Sequence, residues 1–214
     1  MTMDLFTEQR PHSIAIAEGA CWLPGFALPE MHALWPCVKH HLTAHPPQQM
    51  MTPMGYVMSV QTSSMGALGW VSNAQGYGYS PVNPSTNVSW PPLPPVILQL
   101  AAEAAGKAGY SQFVPDSCLI NVYAPGCKMG LHQDKDEKDF TQPIVSVSLG
   151  LPATFLFGGS KRSDKPVKIP LQHGDVVVWG GASRRFYHGV SSVKAGTDSL
   201  TGNCRINLTL RKAG

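Results

Sequence analysis

Charge is scarce in this sequence. Asp, Glu, Lys and Arg supply only 14% of its 214 residues, against about a quarter in an average soluble domain. That poverty, with Gly and Pro making up nearly a fifth of the chain, excludes a coiled coil and leaves little room for a helical bundle. No uninterrupted apolar run reaches the roughly 18 residues a membrane helix needs, and the start, MTMDLFTEQRPH, has acids and no apolar leader core. The five cysteines are odd in number and include no C-x-x-C pair. The expectation is a soluble, cytoplasmic monomer with reduced, buried thiols and no membrane association. With 43% hydrophobic residues, disorder fits poorly and one globular domain with an attached lid fits well.

The charges present are unevenly placed. From Lys128 onward lie 13 of the 16 Lys and Arg but only 7 of the 13 Asp and Glu. A basic half suits a polyanion or an anionic small molecule, and equally an ordinary solvated surface.

Three stretches differ in texture. Residues 1–45 hold one helix, expected from Leu28 to Leu42, covering a sheet. Residues 46–92 are rich in Pro, Gly, Ser, Asn and aromatics, with one alternating run from Tyr56 to Gln61, and read as a loop-rich flap. Residues 93–214 start with a helix opened by the pair Pro94-Pro95 and running to about Ala108, and continue as seven short strands: SCLINVYA, PIVSVSLG, ATFLFG, VKIPL, DVVVWG, RFYHGV and NCRINLTLR. A mainly β sandwich, barrel or jelly roll follows. In the last strand Ile206, Leu208 and Leu210 share one face, and Arg205, Asn207, Thr209 and Arg211 the other. One buried face and one wet face is the ordinary meaning of such alternation.

The histidines point elsewhere. Residues two apart on an extended segment project to one side, so His132 and Asp134 can close on a single ion. His188, past the apolar strand DVVVWG, is placed to return beside the first strand as a third ligand. Two His and one Asp form the facial triad of non-haem Fe(II) oxygenases, with zinc the rival metal. A calcium loop starting at Asp134 fails, because its sixth position is Asp139 rather than Gly and its twelfth is Val145 rather than Glu.

An Fe(II) oxygenase that splits O2 needs two further electrons, which 2-oxoglutarate supplies by decarboxylation. Its remote carboxylate needs a cation, and Arg is suited to a semi-buried carboxylate. Arg205 and Arg211 share a strand face, and Asn121 and Tyr123 alternate on another strand.

Taken together, Asn121-Val122-Tyr123, the run from His132 through Asp134 and Asp136 to Glu137, IVSVSLG, HGDVVVWGG, RRFYHG and the closing R-x-N-x-T-x-R closely resemble the AlkB family of Fe(II)- and 2-oxoglutarate-dependent nucleic-acid dealkylases. The resemblance is dense from about residue 46 to the end and thins over the first 45. It implies a double-stranded β-helix (jelly-roll) core with a few N-terminal helices, and a nucleotide-recognition lid over 46–92. Iron ligands are implied at His132, Asp134 and His188. Asn121, Tyr123, Arg205, Asn207 and Arg211 match positions that hold 2-oxoglutarate, with Arg205 on the remote carboxylate. Trp70, Tyr77, Gly78, Tyr79, Asp136 and Arg162 match the lid and base pocket, while Thr62 departs from a bulkier Met.

The activity implied is oxidative demethylation of 1-methyladenine and 3-methylcytosine in DNA, preferentially single-stranded, with duplex DNA and RNA left open. 2-Oxoglutarate would go to succinate and CO2, and the methyl group to formaldehyde. Such bases are cationic, so a carboxylate at the pocket, Asp136, would favour them. A flipped base needs flanking rings, for which Trp70, Tyr77 and His132 are candidates. Lys128, Lys135, Lys161, Arg162, Arg184 and Arg185 would track phosphates, although for Arg184 and Arg185 a solvated pair reads equally well. The alternatives are an oxygenase of the same chemistry on RNA, protein or a metabolite, and a non-catalytic jelly-roll binding module or cupin-like isomerase.

Overall fold

The computed structural model describes residues 13–214; residues 1–12, on which the expectation about a leader falls, lie outside the described residues. Two strands open the described chain, β1 (Ile14–Ala17) and β2 (Ala20–Leu23), followed by helix α1 (Met31–Ala44). The helix starts three residues later than expected because residues 25–28 form turns, with Ala27 N–H bonded to Gly174 O at 2.8 Å. Next come β3 (Gln48–Met51), β4 (Val57–Gly66), the hairpin β5 (Gly69–Asn73) and β6 (Gly76–Ser80), and the short pair β7 (Val82–Asn83) and β8 (Val88–Ser89). Helix α2 (Pro95–Lys107) begins on the expected proline, whose missing N–H costs nothing in a first turn.

The remaining strands are β9 (Ser117–Tyr123), β10 (Met129–His132), β11 (Ile144–Gly150), β12 (Ala153–Phe157), β13 (Val167–Leu171), β14 (Val176–Trp179), β15 (His188–Val190) and β16 (Arg205–Arg211). They wind back and forth between two antiparallel sheets, ordered β1-β2-β14-β11-β16-β9-β4-β3 and β10-β15-β12-β13. That alternation is a double-stranded β-helix.

The stretch 46–92 is less detached than its composition suggests. β3 and β4 are the last two strands of the large sheet, and only the two hairpins lie outside both main sheets. Residues 1–45 likewise contribute β2, hydrogen-bonded to β14 through Val177↔Trp22 and its neighbours. Backbone pairing across such sequence distance has no local signature.

The expectation of one wet face on β16 is overturned, since all seven residues are buried. Ile206, Leu208 and Leu210 pack with Leu34 and Val38 of α1 and Ile97, Leu100 and Ala104 of α2. The opposite face looks into the space between the sheets, where Phe155, Phe157, Trp179 and Val190 form a second core. Helices cover one side and a second sheet the other, so the polar stripe is internal.

Candidate active site

Strand register assembles the inward polar face. Asn207 stands opposite Asn121 on β9 and Ser148 on β11, and Asn121 opposite Thr62 on β4. Directly opposed residues in antiparallel pairs share a face. The result is one wall of a cavity of about 390 Å³, lined there by Thr62, Asn121, Tyr123, Ser146, Asn207, Thr209 and Arg211.

His132, Asp134 and His188 meet on the cavity floor, their ligand atoms all within 4.8 Å of one another. His188 does not return beside β9. It lies on β15, paired with His132 at the end of β10, a strand hidden in sequence by the Pro-Gly-rich approach to it. Asp134 sits just beyond that strand, its Oδ1 at 3.6 Å from His132 Nε2 and 3.8 Å from His188 Nε2. Each histidine directs Nδ1 at the backbone carbonyl two residues earlier, His132 to Gly130 at 2.9 Å and His188 to Phe186 at 3.0 Å. That bond places the proton on Nδ1 and leaves Nε2 free for a metal. Gly189 permits the close approach, since a Cβ there would lie 2.6 Å from Met129 O.

Electrostatics prepare these groups to ligate. Burial, then His132 beside it, pushes His188 down to about 4, keeping the imidazole neutral. Burial works against ionisation of Asp134, but Arg211, followed by the two histidines, holds its carboxyl well below the usual carboxylate range. Arg211 grips Asp134 Oδ2 through Nε at 2.9 Å and Nη2 at 2.6 Å. Three donors with the chemistry of a metal triad, two imidazoles and one carboxylate, fit Fe(II).

The arginines fit an anionic cosubstrate. Arg205 is 1% exposed and, among the described residues, has no carboxylate partner; Nη2 donates to Ser148 Oγ at 3.1 Å, while Nε and Nη1 are buried without an acceptor. Arg211 Nη1 is also unmatched. Buried unpaired guanidinium donors are costly, and an oxygen-rich dianion such as 2-oxoglutarate would satisfy them. Arg205 is not itself among the lining residues; its guanidinium lies 5.0 Å over the ring of Tyr123, which is.

Above the floor, β5 and β6 present Trp70 and Tyr77, stacked at 5.5 Å and 15°. Tyr77 is 48% exposed, so core packing does not explain it. Trp70 Nε1 donates to Asp136 at 3.1 Å, and Tyr79 OH to Glu137 at 2.8 Å. Burial raises the Tyr79 phenol far above its ordinary value, so it remains a donor. Arg162 and Lys135 line the mouth. Gly78 is not brought to the wall, and a Cβ there would meet nothing within 4 Å.

Arg184 corrects both readings of its role. It is 2% exposed, neither solvated nor available to phosphate. Nε bonds Gln142 O at 2.9 Å, Nη1 bonds Asp134 O at 3.2 Å, and Nη2 pairs with Glu137 at 3.2 Å. Lys128, Lys135, Lys161, Arg162 and Arg185 are exposed. Glu137 carries no signal in the sequence beyond its place in the run after Asp134, whereas its partners Tyr79, Arg184 and Arg211 come from distant segments. All five cysteines are free, but only Cys21 and Cys118 are buried, with Cys37, Cys127 and Cys204 half-buried. No helix among the described residues is long and apolar enough to cross a membrane.

Known proteins share this arrangement. The chain is 52% identical over 212 residues to the alpha-ketoglutarate-dependent dioxygenase AlkB of Escherichia coli K12, covering 99% of this chain and 98% of that protein. It is 44% identical over 163 residues to an AlkB homolog of Caulobacter vibrioides, covering 76% and 72%. The solved structure of OsALKBH1 superposes with a TM-score of 0.77 at 29% identity, covering 94% of this chain and 99% of that one. Residues 19–211 match the 2OG-Fe(II) oxygenase superfamily, and the chain is a member of that family, an Fe(II)- and 2-oxoglutarate-dependent dioxygenase that uses O2.

Proposed function

We propose that this enzyme removes methyl groups oxidatively from N-alkylated nucleic-acid bases, 1-methyladenine and 3-methylcytosine, with single-stranded DNA the preferred substrate. The observation that carries the reading is the cavity itself: the His132, Asp134 and His188 floor faces a wall of stacked aromatics, Trp70 and Tyr77, with Asp136 hydrogen-bonded to Trp70. The relatives' names support the coarser part of this reading, a demethylase of nucleic acids, since besides AlkB they include a DNA N(6)-methyladenine demethylase of Arabidopsis thaliana and a tRNA demethylase of Schizosaccharomyces pombe.

Fe(II) with 2-oxoglutarate and O2 supplies, when bound, the oxidation that hydroxylates the N-methyl group, which then leaves as formaldehyde. In this reading His132, Asp134 and His188 hold the iron. Arg205 takes the remote carboxylate of 2-oxoglutarate, while Asn121, Tyr123, Asn207 and Arg211 orient the rest. Trp70, Tyr77 and His132 hold the flipped base, and the lid residues close over it to exclude water. Asp136 favours a ring that methylation has made cationic. Arg162 and Lys135 meet the phosphates at the mouth. Within residues 46–92 the hairpins β5–β6 and β7–β8 act as the lid, and residues 13–45 brace the large sheet. A monomer suffices, because every group in this assignment belongs to one chain.

The test is mass spectrometry of a single-stranded oligonucleotide carrying one 1-methyladenine. Loss of one CH2 unit should require Fe(II) and 2-oxoglutarate together. An unchanged oligonucleotide beside brisk 2-oxoglutarate turnover would assign the site to another substrate.

A further inference from the structure

The hairpin β5–β6 brings Trp70, Tyr77 and Tyr79 to the catalytic cavity, yet it stands outside both main sheets. A two-stranded hairpin by itself is at best marginally stable in water. Neither hydrophobic core takes a residue from it. Trp70 faces the catalytic cavity, whereas Val71 and Asn73, on the opposite face by the two-residue period of a strand, line a second cavity of about 630 Å³. With that space behind it, the hairpin depends on ties at its edges for its height above the metal triad.

Two of those ties are the bonds from Trp70 to Asp136 and from Tyr79 to Glu137. Trp90 supplies a third, at the hairpin's foot. Gly69 and Ser80 are the closing pair of the hairpin, and Trp70 and Tyr79 are the next pair. Trp90 holds both members of the closing pair. Its Nε1 donates to Ser80 O at 2.8 Å, and its indole lies so close over Gly69 that a Cβ there would sit 2.5 Å from Nε1 and nearer still to Cε2. Only glycine admits that approach.

The clasp is tethered to the core. Trp90 lies between β8 and α2, and α2 buries Ile97, Leu100, Ala101, Ala104 and Ala105. The next residue, Pro91, accepts the Gly66 N–H at 2.8 Å and so pins the segment that leads into β5. Trp90 lines the second cavity and not the catalytic one, so it acts on the site only through the hairpin.

We propose that Trp90 is a positioning residue for demethylation: by clasping Gly69 and Ser80 it sets the height of Trp70 and Tyr79, and with it the distance at which a methylated base is held from the metal triad. The inference rests on the cavity taking such a base. A displacement of about 1 Å can slow a reaction about a hundredfold. A hairpin released at its foot should therefore let 2-oxoglutarate be consumed without removal of the methyl group.

The test uses the full chain, Trp90→Phe, Trp90→Ala, Gly69→Ala and the double variant Gly69→Ala/Trp90→Ala, with an oligonucleotide carrying 1-methyladenine. Trp90→Phe keeps a ring and loses the Nε1–H donor, and should raise the 2-oxoglutarate consumed per formaldehyde released about fivefold. Trp90→Ala and Gly69→Ala should raise it further and alike, and the double variant should be no worse than either, because both changes break one contact. Mn(II) affinity and 2-oxoglutarate turnover without nucleic acid should stay at parent values. Amide hydrogen exchange should quicken over residues 69–80 and not in α2 or β16. A parent-like ratio in Trp90→Ala would overturn the proposal. So would losses that multiply in the double variant, or an equal fall in Mn(II) affinity, which marks a general structural role. If the parent demethylates no oligonucleotide while consuming 2-oxoglutarate, the proposed function fails and the positioning role with it, while exchange quickened only over 69–80 would still leave the clasp of the hairpin in place.

Discussion

The guanidinium of Arg184 meets the carboxylate of Glu137 at 3.2 Å with both side chains almost wholly buried, at 3% and 2% exposure. Arg184 also holds the backbone carbonyls of Asp134 and Gln142, and so fixes the segment that carries the metal carboxylate to the turn preceding His188. Arg184→Ala should cost about 3–5 kcal/mol of stability, the usual penalty for stranding one member of a buried pair, measured by denaturant unfolding. Arg184→Lys should keep the charge but lose the fork that reaches three acceptors, weakening Mn(II) binding at the triad while unfolding stays cooperative. Unchanged Mn(II) affinity in the lysine variant would show that the fork does not position the metal carboxylate.

His132→Ala and Asp134→Asn should each abolish both demethylation and 2-oxoglutarate decarboxylation. A triad with one ligand missing cannot hold Fe(II) in the geometry the chemistry requires. Retention of either activity at the parent rate in either variant would remove the metal assignment.

Asp136→Asn should behave differently. It preserves an acceptor for Trp70 Nε1, now at 3.1 Å, but removes the charge proposed to favour a cationic base. Decarboxylation of 2-oxoglutarate should persist, while the preference for 1-methyladenine over a neutral alkylated base falls by about tenfold. Competition assays with the two lesions read this directly; parent-like selectivity would sink the electrostatic explanation.

Gly189→Ala should separate the two histidine ligands. Its Cβ would press on Met129 O and on Gly130 of β10, backbone that cannot yield without moving His132. Metal affinity should fall at least as far as overall stability does, which titration with Co(II) followed by its visible absorption would resolve.

Stability should also depend on pH through His41. This residue is 4% exposed and bonds Ser63 Oγ at 2.8 Å. Ser63 gives its single proton to His45 O at 3.2 Å, so His41 is the donor in the pair. Burial, then His45 and His40, pushes it down to about 4. A depressed histidine resists protonation in the folded state, so its contribution is complete above the free value of about 6.5 and is lost as pH falls toward 4, by at most about 3 kcal/mol. His41→Gln should flatten that part of the stability profile in urea titrations; equal acid sensitivity in both proteins would argue against it.

The chemistry of the site was legible in the residues because it is short-range. His132 and Asp134 are two positions apart, and Arg205, Asn207, Thr209 and Arg211 share a face by the two-residue period of a strand. Most strands of the second half and the start of α2 followed from apolar alternation and turn residues alone. What the sequence by itself determined is therefore which side chains could ligate and which could stand together on one strand. Tertiary structure decided their surroundings. It placed helices on one face of β16 and a second sheet on the other, turning an apparently wet stripe into a cavity wall. It paired His188 with β10 rather than β9, buried Arg184 against Glu137, and laid Arg205 over the Tyr123 ring. Those outcomes depend on which distant strands close on one another, a choice made by the packing of the whole chain and written in no single segment of it.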